Sequence, residues 1–455
     1  MALVNELARF VTDASFDDLT NDAREQLKIR VLDSLGCAIG ALEGPPIRML
    51  REHLHDFGGA EHGTLIGGTK TTPDRAALYN GALVRYLDYN DSYLAKGETC
   101  HPSDNLSSTL AAVEYAGGNG KELLTALGVA YQVQCRLSDV APVREVGFDH
   151  TTQGSYAVAA GVAKALGLDD EKTANAIAIS ATAHNALRVT RTGSLSHWKG
   201  LAYPETAFCG THSAFLAKRG ITGPAEVFEG NKGFMDSIAG RFEIDWPSED
   251  LERVTDTIIK KYNAEIHSQA SIEGALELKH EHGIDPASID AIEIQTFDVA
   301  YHIIGGGEEG DKTIVHSKEE ADHSLHYMVA VALLDDQVLP DQYKPERIER
   351  DDIQTLLRKV TVSPKDEYSD AFPDEMRCRV TIRLNDGQEH TIEKRDYEGF
   401  QTKPMSWETV SDKFMRLAEP STSESQRTEI IEAVKGLEDA DISEFMALLA
   451  QVVVR

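Results

Sequence analysis

The residues best equipped for chemistry lie in residues 181–199, ATAHNALRVTRTGSLSHWK. A helical pattern of Ala181, Ala183 and Leu187 runs into Arg188 and Arg191, one helical turn apart and therefore on one face. Thr192-Gly193-Ser194 then breaks the pattern, and His197 and Lys199 follow. In a chain of formal net charge −30, this positive island suits a small polyanion. A guanidinium grips a carboxylate with two parallel N–H donors, whereas an ammonium acts as a movable point charge. The plainer reading is a set of ordinary basic surface residues.

Four further segments carry groups of the same kind. In 86–92, Asp88 and Asp91 follow a predicted helix end, where a carboxylate opposes the helix dipole and calls for a partner or a function. Ser92 closes that segment, and a loop leads to His101-Pro102-Ser103-Asp104. Ser103 or Asp104 reads as a helix cap, while His101 at the junction suits acid–base work. Residues 147–154 form a polar loop feeding a small-residue helix, with His150 able to exchange a proton there. Lys260 and Lys261 stand where the helical part gives way to mixed structure, and clefts at such boundaries favour ligands. Lastly, His323 and His326 are one helical turn apart without an evident third metal ligand, and Tyr327 follows as a core aromatic or a phenol facing a cleft.

The elements that must position these groups are mainly helices. Thr20 is expected to cap a helix striped by Leu27, Val31, Leu32 and Leu35, with Gly36 and Gly40 allowing a neighbouring helix to approach closely. Asp74 is expected to cap the next helix. Further helices are expected over 106–116, 122–137, 156–166, 171–181 and 207–218. Beyond about residue 261 the texture changes. Residues 271–280 read as helix, 289–296 alternate with the period of a strand, and Val360 and Val362 mark a second strand. Residues 378–384 turn at Asn385-Asp386-Gly387 into a return strand through Ile392, with a helix at 319–334 in between. From Ser406 the pattern is helical again, which most simply rejoins the first part. The expected domains are a helical domain of 1–265 with 402–455, and an α+β domain of 266–401.

The composition bounds the function. The chain has 455 residues and 75 acidic against 45 basic side chains, a balance that repels nucleic acid and anionic membranes and suits solubility at high salt. No apolar run approaches the roughly 20 residues needed to cross a bilayer. The opening residues lack a basic n-region with a continuous apolar core, so a cytoplasmic location is expected. The five cysteines are scattered and never spaced as C-x-x-C, which argues against a disulfide framework, a zinc site or a cysteine-ligated iron–sulfur cluster.

Taken together, 87–91 (LDYND), 101–105 (HPSDN), 190–200 (TRTGSLSHWKG), 264–269 (AEIHSQ) and 322–331 (DHSLHYMVAV) make the chain resemble the MmgE/PrpD family along nearly its full length, and within it the 2-methylcitrate dehydratases. The resemblance implies a large all-helical domain from both chain ends, a smaller α+β lid domain and a homodimer. It places the family's catalytic positions on Asp88, His101, His150, Lys199 and Lys260 or its neighbour Lys261, with the cleft tyrosine at Tyr327. Ser92, Arg188, Arg191, Lys261 and His197 are the expected substrate-binding residues. The implied reaction removes water from a tricarboxylate, 2-methylcitrate, in propionate catabolism. His101 and His150 would share the acid and base roles, Asp88 would orient an imidazole, the lysines would offset developing charge, and Tyr327 would donate to an oxygen. No metal or cofactor is expected. Decarboxylation of cis-aconitate, another dicarboxylate or tricarboxylate lyase or isomerase reaction, and non-catalytic polyanion binding are the alternatives.

Overall fold

A computed structural model describes residues 2–193, 195–308 and 310–454, so Ser194 of the turn after Arg191 lies outside the described residues. The fold is mainly α with a small sheet. Two compact units are formed, one by residues up to 258 together with those from 406 onward, the other by residues 259–405.

The first unit is built of helices buried on nearly every side. Thr151–Ala165 shows why: from Thr151 to Ala163 every side chain is buried, and alanine, glycine and hydroxyl residues keep the helix thin enough for neighbours to surround it. Leu106–Ala116, Gly120–Val140, Asp170–Ala183 and Trp198–Lys218 complete its surroundings. Asn21–Gly40 starts at Thr20, whose side chain accepts the Ala23 N–H at 3.2 Å. Its small residues meet the helix Trp407–Ala418: a Cβ added at Gly36 would lie 3.3 Å from the Phe414 Cα, and one at Gly40 3.3 Å from the Leu417 carbonyl oxygen. The two chain ends thus meet backbone to backbone, because no side chain intervenes.

Several boundaries differ from expectation. Pro73–Tyr86 begins with proline at its first position, with Thr72 at the cap and Asp74 inside the first turn. The helix over 151–165 starts five residues early, which turns half of the polar loop into its first turn and leaves His150 at the cap position. Asp170–Ala183 ends before the arginines, which occupy a 3₁₀ turn, Arg188–Arg191, and not a continuing helix. Trp198–Lys218 starts nine residues before its expected beginning and carries Pro204 inside it, so Lys199 stands on a helical first turn and not in a loop. The segment between Tyr93 and Cys100 is a small hairpin, with Tyr93–Ala95 paired to Glu98–Cys100.

The second unit holds a four-stranded sheet in the order Val360–Pro364, Ile289–Thr296, Cys378–Leu384, Glu389–Lys394. The first pair is parallel and the others antiparallel, with Gly387 taking a positive φ in the final hairpin. Inward positions Cys378, Val380 and Ile382 are buried while Arg379 and Arg383 are exposed, the alternation expected of a one-sided sheet. Gln269–His282 and Leu325–Asp335 are its main helices. Among the described residues, no helix is long and apolar enough to cross a membrane.

Candidate active site

The first unit gathers a compact set of charged and imidazole groups around the end of the 73–86 helix. Asp88 takes a left-handed backbone conformation, φ 53°, just past that helix. Aspartate tolerates this region better than most residues. The Asp88 carboxylate then reaches two cations. Arg85 donates to Oδ1 at 2.7 Å, and the Lys199 ammonium lies 3.3 Å from Oδ2. The unfavourable placement at a helix C-terminus is thereby offset.

The next residues hold His101. The Asp91 side chain accepts the Ser103 N–H at 3.1 Å and the Tyr131 hydroxyl at 2.7 Å, which fixes the loop. The Asp91 carbonyl then accepts from His101 Nδ1 at 2.7 Å, and the Ser92 hydroxyl oxygen lies 3.2 Å from the same nitrogen. A carbonyl only accepts, so the proton sits on Nδ1 and the lone pair of the neutral ring on Nε2.

His150 faces His101 edge to face, with ring centroids 5.4 Å apart. It is delivered by a short antiparallel bridge, Phe148 to Leu187, in which Asp149 N–H donates to the Ala186 carbonyl and Arg188 N–H to the Gly147 carbonyl, both at 2.9 Å. That bridge sets Asp149 beside the 3₁₀ turn. Arg191 Nε donates to Asp149 Oδ2 at 2.6 Å, Arg188 stands 3.9 Å away, and His150 Nδ1 lies 3.3 Å from Oδ1. Burial alone would raise the Asp149 carboxyl, but Arg191, His150 and Arg188 hold it well below its ordinary range. Burial pushes His150 down to about 3; Asp149 opposes this, and Arg191, Arg85 and Arg188 reinforce it. The tighter partner of Asp149 is the guanidinium, so His150 stays a neutral imidazole near pH 7, with Nδ1 toward Asp149 and, away from it, Nε2. Among the described residues that nitrogen has no hydrogen-bond partner. Tyr203 stacks on the far side of His150, its hydroxyl 3.0 Å from both Asn105 Oδ1 and Gln134 Oε1.

Residues 5–247 match the family model of the MmgE/PrpD N-terminal domain, and residues 262–439 that of the C-terminal domain. The chain belongs to the MmgE/PrpD family. Among its curated relatives, 2-methylcitrate dehydratase of Escherichia coli (strain K12) is 29% identical, with 78% of this chain and 77% of the relative covered. The mitochondrial 2-methylcitrate dehydratase of Yarrowia lipolytica is 28% identical, covering 85% of this chain and 77% of the relative. A cis-aconitate decarboxylase of Mus musculus is 24% identical over 97% of this chain and 91% of the relative.

In this MmgE/PrpD chain the structure brings Asp88, Ser92, His101, His150 and Lys199 together, with Arg188 and Arg191 behind them. The guanidinium of Arg191, an expected substrate-binding residue, is engaged by the buried Asp149. It acts here on His150. His197 is exposed at the start of the 198–218 helix. The remaining expected residues belong to the second unit. Lys260 is buried there, whereas Lys261 pairs with Glu273 at 3.0 Å and Glu398 at 2.9 Å. Tyr327 departs from the expectation of a cleft phenol: it is wholly buried, and its hydroxyl donates to the Gln342 carbonyl, an interior partner. His323 bonds Asp322, and burial pushes His326 down to about 4 against the pull of Asp311. All five cysteines are free thiols.

Three groups that shape the site were missed: Arg85, Asp149 and Lys413. Arg85 lies three residues before Asp88, a spacing that places side chains on neighbouring positions of a helix face and was a usable signal. Asp149 is adjacent to His150. Lys413, from the far end of the chain, left no local signal. Its ammonium lies 2.6 Å from Asp33, donates to the Tyr89 carbonyl at 2.8 Å and sits 3.6 Å above the Tyr89 ring.

Proposed function

We propose that this protein is a hydro-lyase that removes water from 2-methylcitrate to give 2-methyl-cis-aconitate, with the proton transfers done by its own side chains. The observation that carries the reading is the His101–His150 pair, His101 anchored through Nδ1 on the Asp91 carbonyl and His150 set beside Asp149, next to a lysine steered by Asp88. The relatives named 2-methylcitrate dehydratase support the same reaction.

The chemical demand is to remove a C–H proton next to a carboxylate, which must take on further negative charge, and to expel hydroxide from the adjacent carbon. Lys199 offsets the charge growing on that carboxylate. His150, held neutral by the arginines around Asp149, takes the C–H proton at Nε2. A bound trianion beside it favours the imidazolium and so strengthens it as a base when substrate is present. The C–H electron pair becomes the new double bond, the C–O bond breaks, and His101 in its imidazolium form gives its Nε2 proton to the departing hydroxyl, which leaves as water. The Asp91 carbonyl stabilises that imidazolium by accepting from Nδ1.

The test is a product assay by mass spectrometry on purified protein with excess chelator, given 2-methylcitrate, citrate and cis-aconitate separately. Loss of one water from 2-methylcitrate is the expected result; no loss of water from it contradicts the reading. Activity abolished by chelator and restored by metal contradicts the metal-independent step. A second reading, decarboxylation of cis-aconitate, is favoured by the near full-length similarity to the mouse decarboxylase. Release of carbon dioxide from cis-aconitate in the same assay distinguishes it.

A further inference from the structure

Behind the Asp88–Lys199 pair lies a buried carboxylate that the mechanism above does not use. Asp104 is 2% exposed, and its Oδ2 has no hydrogen-bond partner among the described residues. Arg85 connects it to the site. One terminal nitrogen of this guanidinium donates to Asp88 Oδ1 at 2.7 Å and to Asn90 Oδ1 at 3.1 Å, while its Nε lies 3.7 Å from Asp104 Oδ2. Asn90 closes the set by donating to Asp104 Oδ1 at 2.8 Å and to the Ser103 hydroxyl at 2.9 Å. Charges of alternating sign therefore run from Asp104 through Arg85 and Asp88 to Lys199.

A helix cap, the role its position in the sequence suggests, does not explain Asp104, because its carboxylate turns to Arg85 and Asn90. A cation divided between two carboxylates holds each less firmly than it would hold one. The left-handed turn at Asp88 is the kind of strained conformation that surrounding contacts must maintain. We infer that Arg85 and Asp104 are positioning residues for Lys199, the charge on Asp104 setting how strongly Arg85 holds Asp88, and hence how strongly Asp88 holds the lysine. This rests on the reading of Lys199 as the cation that faces the substrate.

The groups facing Asp104 are Arg85 from the 73–86 helix, Asn90 and Asp91 from the following loop, and Arg191 from the 3₁₀ turn. Burial, with Asp91 adding to it, raises the Asp104 carboxyl to about 7 against the pull of Arg85 and Arg191. The Lys199 ammonium lies 3.3 Å from Asp88, and Arg191 reaches the Lys199 carbonyl. Asp104 thus changes charge near neutral pH without touching substrate.

The test uses the full-length protein and the isosteric Asp104→Asn variant, with pulse acetylation of Lys199 by acetic anhydride followed across pH by mass spectrometry. Removing the negative charge leaves Arg85 holding Asp88 more firmly and Asp88 holding Lys199 less firmly, so Lys199 is acetylated about threefold or more faster than in the wild type. In parallel, the inflection near neutral pH in kcat for 2-methylcitrate disappears while KM changes less than about threefold. Arg85→Lys, too short to reach Asp88, moves the labelling curve the other way and supplies the test if the aspartate variant does not fold. Labelling curves that superpose on the wild type in a folded variant overturn the inference. Labelling requires no turnover, so a wild type inactive on 2-methylcitrate refutes the dehydratase reading while the labelling still decides the positioning role.

Discussion

His150 shows how strongly a single residue's chemistry depends on its neighbours. As an isolated imidazole it would be partly charged near neutrality, but burial and three arginines keep it neutral to about pH 3. The consequence for stability has a definite sign. Between the ordinary histidine value of 6.5 and about 3, the unfolded chain binds a proton at this position that the folded chain refuses, so stability falls as pH falls through that window. His150→Asn removes the effect, and its stability relative to wild type should improve by about 1 kcal/mol per pH unit below pH 6, read from denaturant unfolding. A constant difference across pH 4–7 would contradict the assignment of a neutral buried ring. Asp149 was legible only as a neighbour in the sequence, since its hold on Arg191 depends on a bridge between residues 148 and 187 that no local pattern announces.

At the scale of elements, the site depends on close approaches between helices. Gly154 lies under Tyr203: a Cβ there would stand 2.5 Å from the ring. Gly154→Ala should push Tyr203 off His150 and destabilise the fold by about 1–3 kcal/mol, seen as a lower midpoint in thermal unfolding. The 407–418 helix contributes Lys413, whose ammonium neutralises the buried Asp33 and braces the Tyr89 carbonyl. Lys413→Met leaves Asp33 uncompensated and should cost about 3–5 kcal/mol in chemical unfolding, with Asp33→Asn added to it recovering part of the loss. A Lys413→Met variant as stable as wild type would remove the brace from the account. Elements with strong periodicity were readable in advance: the alternation of 378–384 and its Asn-Asp-Gly turn gave the hairpin, and Gly36 with Gly40 marked a close helix neighbour. The 198–218 helix was read too short because its first three turns carry Trp198, Tyr203 and Pro204, residues whose helical preference is weak and which tertiary packing overrides. For Tyr327 the core aromatic and the cleft phenol stood as equal readings, because no local sign marks the Gln342 carbonyl, fifteen residues on, that accepts the hydrogen bond of its hydroxyl.

For the whole molecule, the dominant physical fact is charge. A net −30 spread over a folded surface repels itself, and counter-ions relieve that repulsion. Raising salt from tens of millimolar to the molar range should increase the unfolding midpoint, whereas a midpoint insensitive to salt would set aside adaptation to high salt. The same acidity throws the basic groups of the site into relief. Lys199, Arg85, Arg188 and Arg191 converge in the first unit, where the carboxylates of Asp88, Asp104 and Asp149 pair with them. Membership of the MmgE/PrpD family was legible from five short motifs because each carries site or packing residues. The reaction itself was less legible, since dehydration and decarboxylation of related tricarboxylates make similar demands on acids, bases and cations.

The most direct test of the central claim is the rate of water loss from 2-methylcitrate, compared between wild type, His101→Ala and Lys199→Ala. The account predicts turnover by the wild type and a fall of at least about a hundredfold in each variant while both remain folded. Variants that turn over at close to the wild-type rate, or a wild type that leaves 2-methylcitrate intact, would contradict it.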